Sequence, residues 1–168
     1  MACKMEGMKT VFETENIKFV ELNELFIPDY LKSVKEDNVA SLLGISEEEA
    51  EEDEIYWIRM NIEKKAPVFP IIEKKTGEFI GSIELMDVHD SEGEISITII
   101  ENMRDKGYGS EAVSAIVEYG MKELKLNRII LSVSRDNLRA IHVYEKCGFR
   151  EYGRTEEDVL MEVVKENG

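Results

Sequence analysis

Cysteine is almost missing from this sequence: its 168 residues include only Cys3 and Cys147, far apart and in no metal-ligand spacing. Neither a disulfide framework nor a zinc site is indicated, so no metal is expected and Cys147 reads as a small buried packing residue. Long apolar runs are missing too, since none comes near the roughly 18 residues needed to span a bilayer. The first ten residues carry charges but no apolar core of a signal peptide. These absences predict a cytoplasmic protein with no membrane partner. No Pro/Gly/Ser-rich linker, low-complexity stretch or internal repeat interrupts the chain. Residues 1–168 are therefore expected to form a single domain, with 1–14 either poorly ordered or a short leading strand. A domain of this length buries roughly 70% of its unfolded surface and folds without staples. Cationic side chains are the last shortage: 21 Lys and Arg stand against 36 Asp and Glu, a net charge of −15. Nucleic acid is excluded as a partner, because phosphate binding rests on Lys and Arg. A cationic ligand is compatible with such a surface, and so is acidity that merely keeps the protein soluble.

What is present alternates in a regular way. Ile17-Lys18-Phe19-Val20-Glu21-Leu22 reads as a first strand, and Pro28 suits the first turn of a helix reaching about Glu36. A second helix is expected over 47–63, where Ser46 and Glu49 form a capping-box pattern and the acidic run 47–54 is a solvated face. Two strands, 68–73 and 79–86, are joined by a Gly-containing hairpin loop, Lys74-Lys75-Thr76-Gly77-Glu78. Strand 94–100 places Ile95, Ile97 and Ile99 on one face. Then come a helix over 109–124, a strand over 128–134, and a short helix over 138–146 stopped by Gly148 in a left-handed cap. Strands at 149–152 and 159–164 finish the chain. The order β-α-α-β-β-β-α-β-α-β-β predicts an α/β domain around a mixed sheet.

The most informative segment is Arg104-Asp105-Lys106-Gly107-Tyr108-Gly109-Ser110, between a strand and a helix. Glycines let the backbone approach a ligand closely and take positive φ, so that several N–H groups converge on an anion. The helix that follows adds free N–H groups and its positive dipole end. The combination suits a pyrophosphate, with Lys106 adding charge and Arg104 either doing the same or pointing away to hold the turn. A plain strand–helix turn would carry similar residues. Gly107-Tyr108-Gly109-Ser110-Glu111-Ala112 also fits the dinucleotide pattern G-x-G-x-x-A. That pattern should follow its strand at once, whereas 101–106 intervene, which argues against a nicotinamide site.

A second constellation lies in Asn137-Leu138-Arg139-Ala140-Ile141-His142-Val143-Tyr144. Asn137 and Tyr144 are seven residues apart, close to two turns, so both lie on one helix face roughly 10 Å apart. They suit the lining of one long ligand, or an N-cap and a packed aromatic.

With both constellations in view, the sequence resembles the GNAT superfamily of N-acetyltransferases. The resemblance rests on Arg104-x-x-Gly107-x-Gly109 followed by Asn137-x-x-Ala140-x-x-x-Tyr144-Glu145-Lys146-Cys147-Gly148-Phe149. Thr76-Gly77-Glu78-Phe79-Ile80-Gly81 and Gly93-Glu94-Ile95-Ser96-Ile97 look like the branch containing ribosomal-protein N-terminal and spermidine acetyltransferases. The resemblance implies a mostly antiparallel sheet of about seven strands flanked by about four helices. It also implies acetyl-CoA as acetyl donor, with the splayed strand at Ile97, Thr98 and Ile99 offering backbone groups to pantetheine. The amides of Lys106, Gly107, Tyr108, Gly109 and Ser110 would hold the pyrophosphate, with Asn137 and Tyr144 also on the cofactor. One departure is a shorter stretch between Phe149 and Leu160 than many members of that branch carry.

The implied reaction is direct attack by a primary amine in a ternary complex, the acceptor being a polyamine, a small amine or a peptide amino terminus. An amine of pKa about 10.4 must lose a proton first, which costs about 4.6 kcal/mol at pH 7. Glu94 is the first candidate to accept that proton, with Glu84, Asp87 and His89 as alternatives. The resemblance assigns protonation of the departing thiolate to Tyr144. Glu84 and Asp87, beside the strands that should flank the thioester, are candidates for holding a cationic acceptor. A Cys147 acyl-enzyme is disfavoured, because no activating His or Asp is near it in sequence. A non-catalytic acyl-CoA sensor would keep the turn without needing Tyr144, which is present. A homodimer is compatible with all of these features.

Overall fold

The computed structural model describes residues 7–166, which divide into two compact units. The first holds residues 7–82 and 99–104. Its strands begin with β1 (Thr10–Glu13) and β2 (Ile17–Val20), so the leading strand is present and the one expected at Ile17 ends two residues early. Phe12 pairs with Phe19 across the antiparallel ladder, their rings stacked with centroids 4.2 Å apart. β3 (Val68–Glu73) lies antiparallel to β2 and is buried along its whole length. It is followed by the start of β4 (Phe79–His89), the order in this unit being β1-β2-β3-β4.

Three helices belong to the first unit. α1 (Ile27–Glu36) has its proline in the first turn, where the missing N–H costs nothing. α2 (Val39–Leu43) was not expected from the sequence; Asn38 (φ 56°) and Gly44 (φ 69°), both left-handed, bracket its five residues. α3 (Glu47–Lys64) starts where the capping box places it, the Glu49 amide donating to Ser46 Oγ at 3.0 Å. Tyr30 of α1, Ile58 of α3 and Phe26, the N-cap of α1, are buried with Val20, Val68 and Ile72 of the strands and Leu22 just after β2. Full burial of a side chain such as Ile58 contributes about 1.5–3 kcal/mol.

The second unit holds 83–98 and 105–166. It takes in the rest of β4, which runs three residues beyond the expected Met86 to His89. It adds β5 (Glu92–Ile99, its last residue in the first unit), β6 (Arg128–Ser134), β7 (Arg150–Arg154) and β8 (Asp158–Val164), ordered β4-β5-β6-β8-β7. β5 and β6 are parallel, while β8 is antiparallel to both β6 and β7. α4 (Tyr108–Lys122) lies between β5 and β6 in sequence, and α5 (Leu138–Lys146) between β6 and β7. Gly120 lets α4 ride close to the sheet, for a Cβ there would stand 3.0 Å from Ile129 Cδ1 and 3.3 Å from Leu85 Cδ1. Leu85, Gly93 and Ile129 thus share the face under α4, and the strand alternation puts Glu84, Glu94 and Ile130 on the other. Glu162 is paired with Ile130 on that second face and is only 7% exposed. Arg128 and Arg150 both donate to its carboxylate, each through a nitrogen 3.0–3.1 Å away.

The described residues therefore contain eight strands and five helices, one of each more than expected, in a mostly antiparallel α/β arrangement. The extra strand is β1, the leading strand left open as one of two outcomes for 1–14, and the extra helix is α2, too short for periodicity to reveal.

Candidate functional site

The parallel ladder between β5 and β6 runs from Glu92↔Arg128 to Glu94↔Ile130 and goes no further. Both strands continue, β5 to Ile99 and β6 to Ser134. They part as a fork whose apex is Glu94. On the β5 arm, Ile97, Thr98 and Ile99 are half-buried, and backbone groups facing β6 beyond the apex have no partner on that strand. Backbone of this kind needs another hydrogen-bonding partner, which an extended amide-bearing ligand supplies as an added strand does.

Beyond Ile99 the chain makes a 3-10 turn (Glu101–Met103). Arg104 Nε donates to the Ile99 carbonyl at 2.7 Å, and its Nη2 lies 3.4 Å from Asp37 Oδ1. Of the two roles open to Arg104, these bonds are those of holding the turn. Lys106 is exposed and remains the turn's cation next to Gly107.

Asp105 (φ 65°) and Gly107 (φ 88°) are both left-handed, and Gly107 is the N-cap of α4. No side chain caps that end, so the first N–H groups of a 15-residue helix keep no intrahelical partner. A Cβ built on Gly107 or on Gly109 meets no protein atom within 4 Å. Gly109 is helical and unstrained, so nothing inside the protein calls for glycine there. Open space above uncapped N–H groups fits a pyrophosphate. The helix begins at Tyr108, one residue earlier than expected.

α5 begins with Asn137, whose Oδ1 accepts from the Ala140 amide at 3.1 Å. That bond is the N-cap role, and it leaves the side-chain NH2 as the part able to reach a ligand. The far end closes in a Schellman motif: the Phe149 amide donates to the Tyr144 carbonyl and the Gly148 amide to that of Glu145, both at 3.0 Å. Gly148 supplies the required left-handed residue at φ 97°. Tyr144 sits half-buried in the last turn, and burial, with Cys147 beside it, pushes its phenol above the ordinary tyrosine value. A phenol so placed keeps its proton at neutral pH and is a donor.

Cys147 is half-buried rather than buried, because its sulfur reaches Ser110 instead of packing into the core. Ser110 Oγ and the Ser110 carbonyl are each 3.7 Å from Sγ. Arg139, to which the sequence gave no hint of a role, forms an ion pair with Asp105 at 2.6 Å. Both contacts tie α5 to the turn before α4 or to its first residues. The pattern of Asn137, Ala140 and Tyr144 carries no signal for either, since their partners lie more than 30 residues upstream.

Among the candidate proton acceptors and acceptor-holding residues, Glu94 is half-buried at the apex of the fork and Glu84 half-buried on β4. Asp87 and His89 are exposed at the far end of β4. His89 Nδ1 bonds the Asp87 carbonyl at 2.6 Å, which raises the imidazole pKa and so leaves less of the neutral ring free to take a proton. Among the described residues no group of His, Cys, Asp and Glu has the arrangement of a metal site, and no helix is long and apolar enough to cross a membrane. Cys3 lies outside the described residues.

A strand fork followed by an uncapped helix terminus, with a protonated tyrosine on the next helix, suits a long amide-containing ligand ending in phosphate. Residues 24–150 match the family described as "Acetyltransferase (GNAT) domain", and the chain belongs to that family. Over 104 residues it is 36% identical to the uncharacterized N-acetyltransferase YnaD of Bacillus subtilis, covering 61% of each chain. Over 93 residues it is 30% identical to the spermidine N(1)-acetyltransferase of Vibrio cholerae, covering 54% of each. The matched part thus spans little more than half the length of these relatives. In fold it is similar to spermidine N-acetyltransferase from Vibrio cholerae in complex with CoA and spermine. That likeness has a TM-score of 0.77 at 21% identity, with 90% of this chain and 96% of the other covered. The ribosomal-protein-S5-alanine acetyltransferase from Vibrio fischeri gives a TM-score of 0.72 at 15% identity, covering 91% and 95%.

Proposed function

We propose that this chain is an acetyl-CoA-dependent N-acetyltransferase acting on a cationic primary amine, either a polyamine or a peptide amino terminus. The observation that carries the reading is the fork between β5 and β6, with the uncapped N-terminus of α4 a few residues beyond its β5 arm. Pantetheine amides take the place of a strand against Ile97, Thr98 and Ile99, and the pyrophosphate takes the N–H groups from Lys106 to Ser110. Asn137 contributes its side-chain NH2. Both compact units serve one acetyltransferase domain, since the family match at 24–150 runs through both. The cytoplasmic location expected from the sequence belongs to the same reading.

Glu94 lies five residues, about 17 Å of extended strand, back from Ile99. A ligand anchored at the turn and laid along β5 brings its far end toward Glu94, which takes the proton from the attacking amine directly or through a water. The new bond joins the amine nitrogen to the acetyl carbon, the carbon–sulfur bond breaks, Tyr144 gives its proton to the departing sulfur, and the second proton leaving the nitrogen restores the phenol directly or through water. Glu84 and Asp87 add negative charge on the strand that precedes β5, favouring a cationic acceptor. A dimer or larger assembly is compatible with this arrangement; a solved relative at 26% identity and a TM-score of 0.60 is described as dodecameric.

The test is a thiol-release assay with acetyl-CoA and a panel of polyamines, small amines and peptides, alongside calorimetry with CoA. Acceptor-dependent thiol release with micromolar CoA binding is the expected result. CoA binding without release for any amine would favour a sensor, and no CoA binding would remove the reading altogether.

A further inference from the structure

The half-buried thiol of Cys147 takes no part in the chemistry just described, yet its neighbours are specific. The Ser110 hydroxyl and Sγ share a hydrogen bond in which either can donate, and Sγ donates to the Ser110 carbonyl, both over 3.7 Å. Both interactions fall in the range usual for sulfur, whose hydrogen bonds are long and weak. Ser110 belongs to the first turn of α4, the seat assigned to the pyrophosphate. Cys147 follows Tyr144 by three residues, close to one turn, and is the C-cap of α5. The other tie between these segments, Arg139 to Asp105, joins side chains 71% and 65% exposed. Exposed pairs of that kind hold little, typically under about 1 kcal/mol. The sulfur contact is the more buried of these two ties, and it joins the first turn of α4 to the turn that carries the phenol.

We propose that Cys147 is a positioning residue for Tyr144, its thiol locking the last turn of α5 to Ser110 so that the phenol keeps a set distance from the bound cofactor. The proposal rests on the reading of α4 as the cofactor seat and Tyr144 as the acid. Its chemistry follows from how sharply acid catalysis depends on placement: a displacement of about 1 Å can cost on the order of 100-fold in rate. Cys147 also adds to the upward push on the Tyr144 pKa, after the larger effect of burial. No acyl transfer to sulfur is involved, and the thiol need not ionise.

Packing and hydrogen bonding at this position call for different replacements. Cys147→Val keeps the apolar volume and removes donor and acceptor, whereas Cys147→Ser keeps both and loses volume. Neither strains a half-exposed C-cap at φ −81°. Cys147→Val should lower kcat roughly 5- to 10-fold while acetyl-CoA Kd stays within about twofold, and Cys147→Ser should recover most of the loss. In a Tyr144→Phe background, Cys147→Val should cost nothing further in kcat, since the group it positions is gone. Thermal melts of each variant confirm folding. Wild-type kcat in Cys147→Val, or a loss in Cys147→Ser as large as in Cys147→Val, overturns the proposal while leaving Tyr144 as the acid if Tyr144→Phe is slow. If Tyr144→Phe itself turns over normally, the reading of Tyr144 fails, and the positioning role fails with it.

Discussion

Phe149 meets Tyr144 edge to face, with ring centroids 6.2 Å apart and planes inclined at 62°. The two residues are the C3 and C″ positions of one Schellman motif, so the apolar contact that usually accompanies such a motif is here made by the candidate acid itself. Phe149 is 3% exposed and serves as a floor for the phenol ring.

Tyr144→Phe keeps that floor and ring contact and removes only the phenolic proton. Turnover should fall at least about 10-fold while acetyl-CoA affinity changes less than about threefold. Steady-state thiol release paired with calorimetry separates the two. Because burial raises the phenol pKa, the loss of activity that its ionisation causes in the wild type should lie above about pH 10.

Gly109→Val and Gly107→Val should part company. Gly109 is helical and faces open space, so its valine variant should melt near the wild-type temperature, lose no more than about 1 kcal/mol of stability, and still bind CoA at least tenfold more weakly. Gly107 sits at φ 88°, where a β-branched residue is strained, so its variant should lose both stability and binding. Retained affinity in a folded Gly109→Val would place the pyrophosphate elsewhere.

Glu162 gives a prediction about acid stability. Burial disfavours its charge, but hydrogen bonds from Arg128 and Arg150 outweigh this and hold the carboxyl below the usual value. Its folded pKa is thus lower than the unfolded value of about 4.3. The stabilisation is complete above that value and disappears as pH falls through the folded pKa. Urea midpoints of the wild type and Glu162→Gln should differ at pH 7 and converge below about pH 4.

Acceptor kcat/KM should fall as salt rises from 0.1 to 1 M, the Debye length shrinking from about 10 to 3 Å. The motive is the net charge of −15 and the acidic residues Glu84, Asp87 and Glu94. Acetyl-CoA, an anion, should not share the trend. A best acceptor that is neutral or anionic, with kcat/KM indifferent to salt, would leave the acidity as a solubility feature.

Local signals explain what was legible in the chain. Pro28, the Ser46 and Glu49 pair and the alternation of Ile129, Leu131 and Val133 act within a few residues, and α1, α3 and β6 appear where they point. α2 escaped notice because five residues carry no period, and its Leu42 and Leu43 are exposed. β4 runs on through Asp87, Val88 and His89, polar or exposed residues that read as a loop. At the site, the two glycines and Tyr144 were visible because backbone freedom and a proton need particular residue types. The fork was visible only through the family resemblance, which implied a splayed strand at Ile97, Thr98 and Ile99, since it depends on where β6 stops pairing with β5 across more than 30 intervening residues. Cys147 looked like core for the same reason: the sequence nearby contains only its helix, and Ser110 is 37 residues away.

The fork has a thermodynamic meaning apart from catalysis. A sheet in which the neighbouring strands β5 and β6 separate after three paired residues is an unfinished structure, and whatever fills the gap completes it. Ligand at 100 times its Kd then adds about 2.7 kcal/mol to the resistance against unfolding. The amides along the inner edge of β5 beyond Glu94 should exchange hydrogen for deuterium freely in the empty protein and slowly in the filled one. In that sense acetyl donor supply would be recorded in the rigidity of the protein before any acceptor arrives.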